Sequence, residues 1–216
     1  MSPKVSQEHK TLRQLEILDA AAQVFIAKGF RAATMKDVVG VSGMSRGGVY
    51  MYFSSTEQLM LALMEQRDQQ DFDVDLNQRR LSLLYESTTT GWDALERYMD
   101  QEIQQIILVR DSYLPAIIEF LMTSWQNKTH QQRVERRYKL ALQACSDFLE
   151  MGVQLGRFHP ILSTQDIAKV ILTFIDGLTL TSIYLSPEQI GTQGQMNTLK
   201  HIVKPLLGIT TNNTPH

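Results

Sequence analysis

The chain has 216 residues, 43% hydrophobic and 20% charged, with a formal net charge of -2 and one cysteine. That length buries a core without cross-links, and a lone Cys145 excludes an intramolecular disulfide and a cysteine-based zinc site. No uninterrupted apolar run reaches the roughly 18 residues of a membrane-spanning helix and the first residues lack the pattern of a secretory signal peptide, so a cytoplasmic protein with no membrane partner is expected.

Helical periodicity runs through the sequence, with no alternating strand pattern. Leu18, Ala21, Ala22 and Phe25 form the stripe of a first helix expected to end at Gly29, where a glycine takes the left-handed conformation. Thr34, three residues before Asp37, is a variant capping box opening a short second helix with Val38, Val39 and Val41. Ser42-Gly43-Met44 reads as a tight turn, and Ser45 caps a third short helix through Tyr52. Ser55-Thr56-Glu57-Gln58 is a second capping box, starting a long fourth helix that reaches to about residue 80.

After the turn formers Ser87 to Gly91, the stripe Trp92, Leu95, Met99, Ile103 and Ile106 marks a fifth helix. Pro115 suits the first turn of a sixth, carrying Ile117, Phe120, Leu121 and Trp125. A seventh holds Tyr138, Ala141, Leu142, Cys145 and Leu149; an eighth runs from a Ser163 cap through Ile167, Val170, Ile171, Phe174 and Leu178. Ser186-Pro187 and the segment from Gly191 to Gly194 read as loop, followed by a ninth helix with Leu199, Ile202, Val203 and Leu206. The expected fold is all-α, about nine helices, with a short-helix head at 1–54, a long-helix body at 55–207 and a flexible tail at 208–216.

Charge divides the same way. Lys4, Lys10, Arg13, Lys28, Arg31, Lys36 and Arg46 against Glu8, Glu16, Asp19 and Asp37 give residues 1–53 a balance of +3, whereas the remainder carries -5. A basic end on an acidic body fits a module that binds a polyanion. Helices two and three, joined by a glycine turn, have the dimensions of a helix-turn-helix, whose second helix enters the DNA major groove. Gly47 and Gly48 each cost about 1 kcal/mol relative to alanine inside a helix. They also let a backbone come close to another surface, and they follow Arg46, able to bond guanine bidentately. Tyr50 and Tyr52 can donate hydrogen bonds to phosphates.

Phe30 to Leu59, with Thr34-Met35-Lys36-Asp37-Val38-Val39, Ser42-Gly43-Met44-Ser45-Arg46-Gly47-Gly48-Val49-Tyr50-Met51-Tyr52-Phe53 and Glu57-Gln58-Leu59, resembles the DNA-binding domain of TetR-family transcriptional regulators. The resemblance implies that Lys36, Ser45, Arg46, Gly47 and Gly48 face the groove and that Thr34, Tyr50 and Tyr52 contact phosphates. Many members carry lysine where this chain has Thr56, so a phosphate contact there falls to a hydroxyl or to the helix N-terminus. The salt dependence of binding should then be shallower by about one charge.

It further implies a double-stranded DNA operator, a homodimer formed by the last two long helices near Asp176-Gly177-Leu178, and a small-molecule effector held in the body. Tyr98, Tyr113, Phe120, Trp125 and Tyr138 are the candidate effector contacts. The function expected is therefore a ligand-responsive regulator, a repressor released from its operator by a small molecule. The alternative is a helical ligand-binding or adaptor dimer without operator binding, which Thr56 favours and Arg46 with its two tyrosines disfavours. An enzyme is not expected: the five histidines are scattered, no His-Glu-x-x-His pair or glycine-rich phosphate loop occurs, and no cofactor or metal is implied.

Overall fold

A computed structural model of the chain describes residues 7–209. They form α1 (Gln7–Ala32), α2 (Met35–Ser42), α3 (Arg46–Tyr50), α4 (Thr56–Asp71), α5 (Val74–Glu86), α6 (Gly91–Ile107), α7 (Leu114–Thr123), α8 (Lys128–Gln154), α9 (Thr164–Tyr184), α10 (Pro187–Ile190) and α11 (Thr192–Leu206), with a 3-10 turn at Val109–Asp111. No strand occurs among the described residues, so the all-α expectation holds. Most of the tail expected at 208–216, residues 210–216, lies outside the described residues.

Eleven helices replace the expected nine because two segments divide differently. The long fourth helix stops at Asp71, and Asp73 caps a new one by accepting from the Leu76 amide at 2.8 Å. The supposed loop at Ser186-Pro187 holds one helical turn, closed by a reciprocal cap in which Ser186 accepts from the Gln189 amide and Gln189 from the Ser186 amide. Helix α1 breaks at Gly29, where its end was expected, but a short helical stretch continues beyond the break to Ala32. The φ of 74° and ψ of 177° at Gly29 lie in a region only glycine occupies without strain.

The chain folds as two compact units. One gathers the chain up to Gln70 together with Arg110–His130; the other gathers Asp71–Val109 and the chain from Gln131 on. The first is built around Ile17, Phe25, Val38, Val49, Leu59 and Met60, and α7 contributes Ala116, Ile117 and Phe120 to the same core. Full burial of a valine, leucine or phenylalanine side chain is worth roughly 1.5–3 kcal/mol. Val49 therefore anchors the five-residue α3, which is far too short to be helical by itself. A boundary at residue 54 parts α4 and α7 from α1–α3, whereas the packing joins them.

The second unit is centred on Leu95, Met99, Ile103, Phe148, Ile167 and Leu199. Helix α9 is long and apolar enough to cross a bilayer, although polar residues interrupt its apolar stretch. Its Ile167, Ala168, Ile171 and Leu178 are buried in the core of this unit.

The bend in α1 has a specific partner within the first unit. The Glu119 carboxylate of α7 accepts from the Phe30 amide at 2.7 Å and the Arg31 amide at 3.4 Å, and a Cβ on Gly29 would lie 2.9 Å from Glu119 Oε2. Gly29→Ala is therefore expected to destabilise the protein by about 1–3 kcal/mol. Gly40→Ala, in α2, where an added Cβ meets nothing within 4 Å, should be neutral or stabilising by up to about 1 kcal/mol. Urea unfolding midpoints of the two variants check the contrast.

Candidate nucleic-acid interface

Local hydrogen bonds fix helices α2 and α3. Thr34 accepts from the Asp37 amide at 3.2 Å while Asp37 accepts from the Thr34 amide at 3.0 Å, the reciprocal cap expected from the sequence. The Thr34 hydroxyl also donates to Asp37 Oδ2 at 2.7 Å, so its proton is engaged in the cap. Gly43, left-handed at φ 65°, ends α2, and Ser45 accepts from the Gly48 amide at 3.1 Å to open α3. The start of α4 is held similarly: Ser55 accepts from the Gln58 amide at 3.2 Å, and the Gln58 side chain accepts from Ser54, one residue before the position a capping box uses.

These caps leave one face of α3 outward. Arg46, Gly47 and Tyr50 are exposed, and Val49 points into the core. The Arg46 guanidinium lies over the Tyr50 ring, 5.2 Å from its centroid. Lys36 and Thr34 are exposed at the start of α2; Tyr52, half-buried, packs against the core, and Thr56 is half-buried at the start of α4. Gly48 has a reason within the chain, because a Cβ there would crowd Ser45 Oγ at 3.2 Å; Gly47 has none, since its Cβ would meet nothing within 4 Å. Sequence reasoning missed Met51, which continues the helical backbone of α3 and is 78% exposed. Its position four residues after Gly47 was the available signal.

Packing divides the five candidate effector contacts. Phe120 is buried in the first unit, its ring 4.7 Å from Phe30 and 4.8 Å from the buried His130, and Tyr113 packs beside the same core under Arg67. Tyr98 belongs to the second unit, stacked on Phe148 with centroids 4.2 Å apart. Trp125 is 65% exposed and Tyr138 is exposed. Around Tyr98, burial raises its hydroxyl well above the ordinary range and pushes the neighbouring Cys145 thiol up to about 12. It raises the Glu102 carboxyl too, helped by the Asp71 carboxylate. Cys145 is therefore a protonated, unreactive core thiol.

A short helix that is anchored from behind, preceded by a tight glycine turn, and exposes arginine, glycine and tyrosine on one face defines a helix-turn-helix DNA-binding protein. Residues 17–63 match the family described as bacterial regulatory proteins, tetR family, and residues 94–193 match the tetracyclin repressor-like, C-terminal domain. The chain is 38% identical over 207 residues to the HTH-type transcriptional regulator YfiR of Bacillus subtilis, spanning 96% of this chain and 98% of that protein. It is 27% identical over 205 residues to the HTH-type transcriptional repressor KstR2 of Mycolicibacterium smegmatis, spanning 89% and 91%. Its fold is shared by Escherichia coli NemR in its reduced form, at a TM-score of 0.67 and 17% identity over 92% of this chain and 100% of that one. Bacillus subtilis FadR, solved in complex with stearoyl-CoA, is similar at a TM-score of 0.61 and 19% identity over 91% and 99%. The chain belongs to the TetR family of bacterial transcriptional regulators, and it is a DNA-binding regulator rather than an enzyme.

One titration bears on the interface. A bond from the Lys28 ammonium at 2.6 Å, and then the Thr34 hydroxyl, hold the Asp37 carboxyl at about 2, below its ordinary 3.8. A depressed carboxyl contributes stability that is complete above its ordinary value and is lost as pH falls through the depressed one. Acidification from about pH 4 to about pH 2 should therefore lower Tm less for Asp37→Asn than for the parent protein, read by circular dichroism.

Proposed function

We propose that the protein is a repressor that binds a two-half-site operator as a homodimer and leaves it when a small molecule binds. The reading rests above all on the exposed face of α3, with Arg46, Gly47 and Tyr50, on a helix whose opposite side is locked into a core by Val49. Arg46 supplies base recognition, while Tyr50, Tyr52, Lys36 and the start of α4 near Thr56 supply phosphate contacts that set register. Ser45, Thr34 and Gly48 hold the helix ends in place for this.

Dimerisation through α9 and α11 is supported by the groove that these helices leave open, lined by Val170, Thr173, Phe174, Gly177, Thr181 and Gln195. Val170, Leu180 and Tyr184 leave large apolar side chains of α9 exposed, as a helix that meets a partner would. A twofold axis there gives two copies of α3, as recognition of half-sites about 34–36 Å apart requires. Ligand release requires an effector that binds the DNA-incompetent state more tightly, because a ligand indifferent to two states shifts neither. Of the five aromatic candidates, Tyr98, partly buried against the core of the second unit and stacked on Phe148, is the one we assign to that unit's effector site.

A mobility-shift titration on the DNA upstream of the protein's own gene tests the reading. A salt-sensitive, sequence-selective shift that a cellular small molecule reverses is expected; its absence on every fragment tried would favour the adaptor. On a bound operator, Arg46→Ala should cost about 1–3 kcal/mol with little change on random DNA, whereas Tyr50→Phe should weaken both alike. For the interface, Val170→Glu places like charges across a twofold axis and should weaken self-association by about tenfold or more in sedimentation experiments.

A further inference from the structure

Gly47 is left unexplained by the packing of the chain. A glycine inside a helix is less stable than alanine, yet a Cβ at this position would meet nothing within 4 Å. Its helical neighbour four residues on is Met51, at 78% the most exposed of the large apolar side chains described, on a helix too short to waste surface. Side chains on a helix lean toward its N-terminus, so Met51, one turn on, borders the open space above Gly47 without filling it. Beside it runs the second row of the same face, Arg46 with its guanidinium over Tyr50. The face thus carries a polar row and, next to it, an apolar notch with a bare backbone floor and a flexible thioether wall.

We infer that this notch receives the C5-methyl group of a thymine, making Met51 a specificity-determining residue and Gly47 the space that lets the base approach. The inference rests on α3 entering the major groove, as proposed above. Among the base edges in that groove the thymine methyl is the one apolar feature, and an unbranched, polarisable side chain is well suited to pack on it. Burial of one methyl-sized group is worth about fourfold in affinity, hence about fifteenfold for a symmetric pair of half-sites. Arg46 and Met51 would then read neighbouring bases, one by hydrogen bonds and one by shape.

The test begins with an operator selected from random duplex DNA by the full-length protein. Each thymine is then replaced singly by deoxyuridine, which removes the methyl and nothing else. At one position in each half-site the parent protein should lose about fourfold, and about fifteenfold when both are replaced. Met51→Ala should bind the thymine operator as weakly as the parent binds the doubly replaced one and should be indifferent to that replacement, while Met51→Leu restores the preference. Gly47→Ala should raise Tm and yet weaken the operator, opposite signs that a purely structural glycine does not give. Uracil tolerance at every position in the parent protein, or equal losses for Met51→Ala on selected and random DNA, overturns the inference with DNA binding intact. Failure to select any sequence overturns the operator reading itself and the inference with it.

Discussion

The carboxylate of Glu119 holds the backbone where α1 bends, and the angle at which the chain enters its helix-turn-helix is set there. At Gly29 the helix is interrupted, and just past the break Glu119 accepts from the Phe30 and Arg31 amides. The Phe30 bond, part-buried and to a charged acceptor, is the stronger of the two, and it ties the bend to α7. Three residues past Arg31 comes Thr34, the cap of α2, and from there a chain of short-range bonds leads to Ser45 and α3. The direction in which Arg46 and Met51 face is thus decided by one contact of long sequence separation followed by several local ones.

That division explains what was legible in the sequence. Caps announce themselves through hydroxyls and carboxylates at fixed short spacing, so Thr34, Ser45, Ser55 and Ser163 marked helix starts that the structure retains. The break at Asp73 was missed because it carries neither glycine nor proline; a single aspartate competes there with an otherwise continuous helical stretch. Helix α10 was missed because one turn is too short for a periodicity. The packing of Phe120 and Ile117 with α1 was invisible for another reason: an apolar stripe tells that a helix is buried without telling against what. The same ambiguity scattered the effector candidates, which were chosen for being aromatic although Trp125 and Tyr138 face outward and Phe120 fills a core.

Energetics at the recognition face favour exchange over rigidity. In the free protein Arg46 rests on Tyr50, an exposed cation–π contact worth about 0.5–1 kcal/mol. If Arg46 reads a guanine as proposed, a bidentate contact that discriminates by about 1–3 kcal/mol exceeds what the ring supplies, and the guanidinium leaves Tyr50 for the right base. The Lys28–Asp37 pair beside this face acts oppositely, neutralising a carboxylate that would otherwise repel phosphates near the start of α2.

Residues 110–130 belong with α1–α4 although some forty residues of the other unit are threaded before them. Grafting the reading half of this regulator onto a foreign sensor by joining two sequences at one point would therefore strand Glu119, Ile117 and Phe120 on the wrong side of the splice. A functional hybrid has to carry α7 along with the N-terminal helices, and natural recombination within such chains meets the same obstacle.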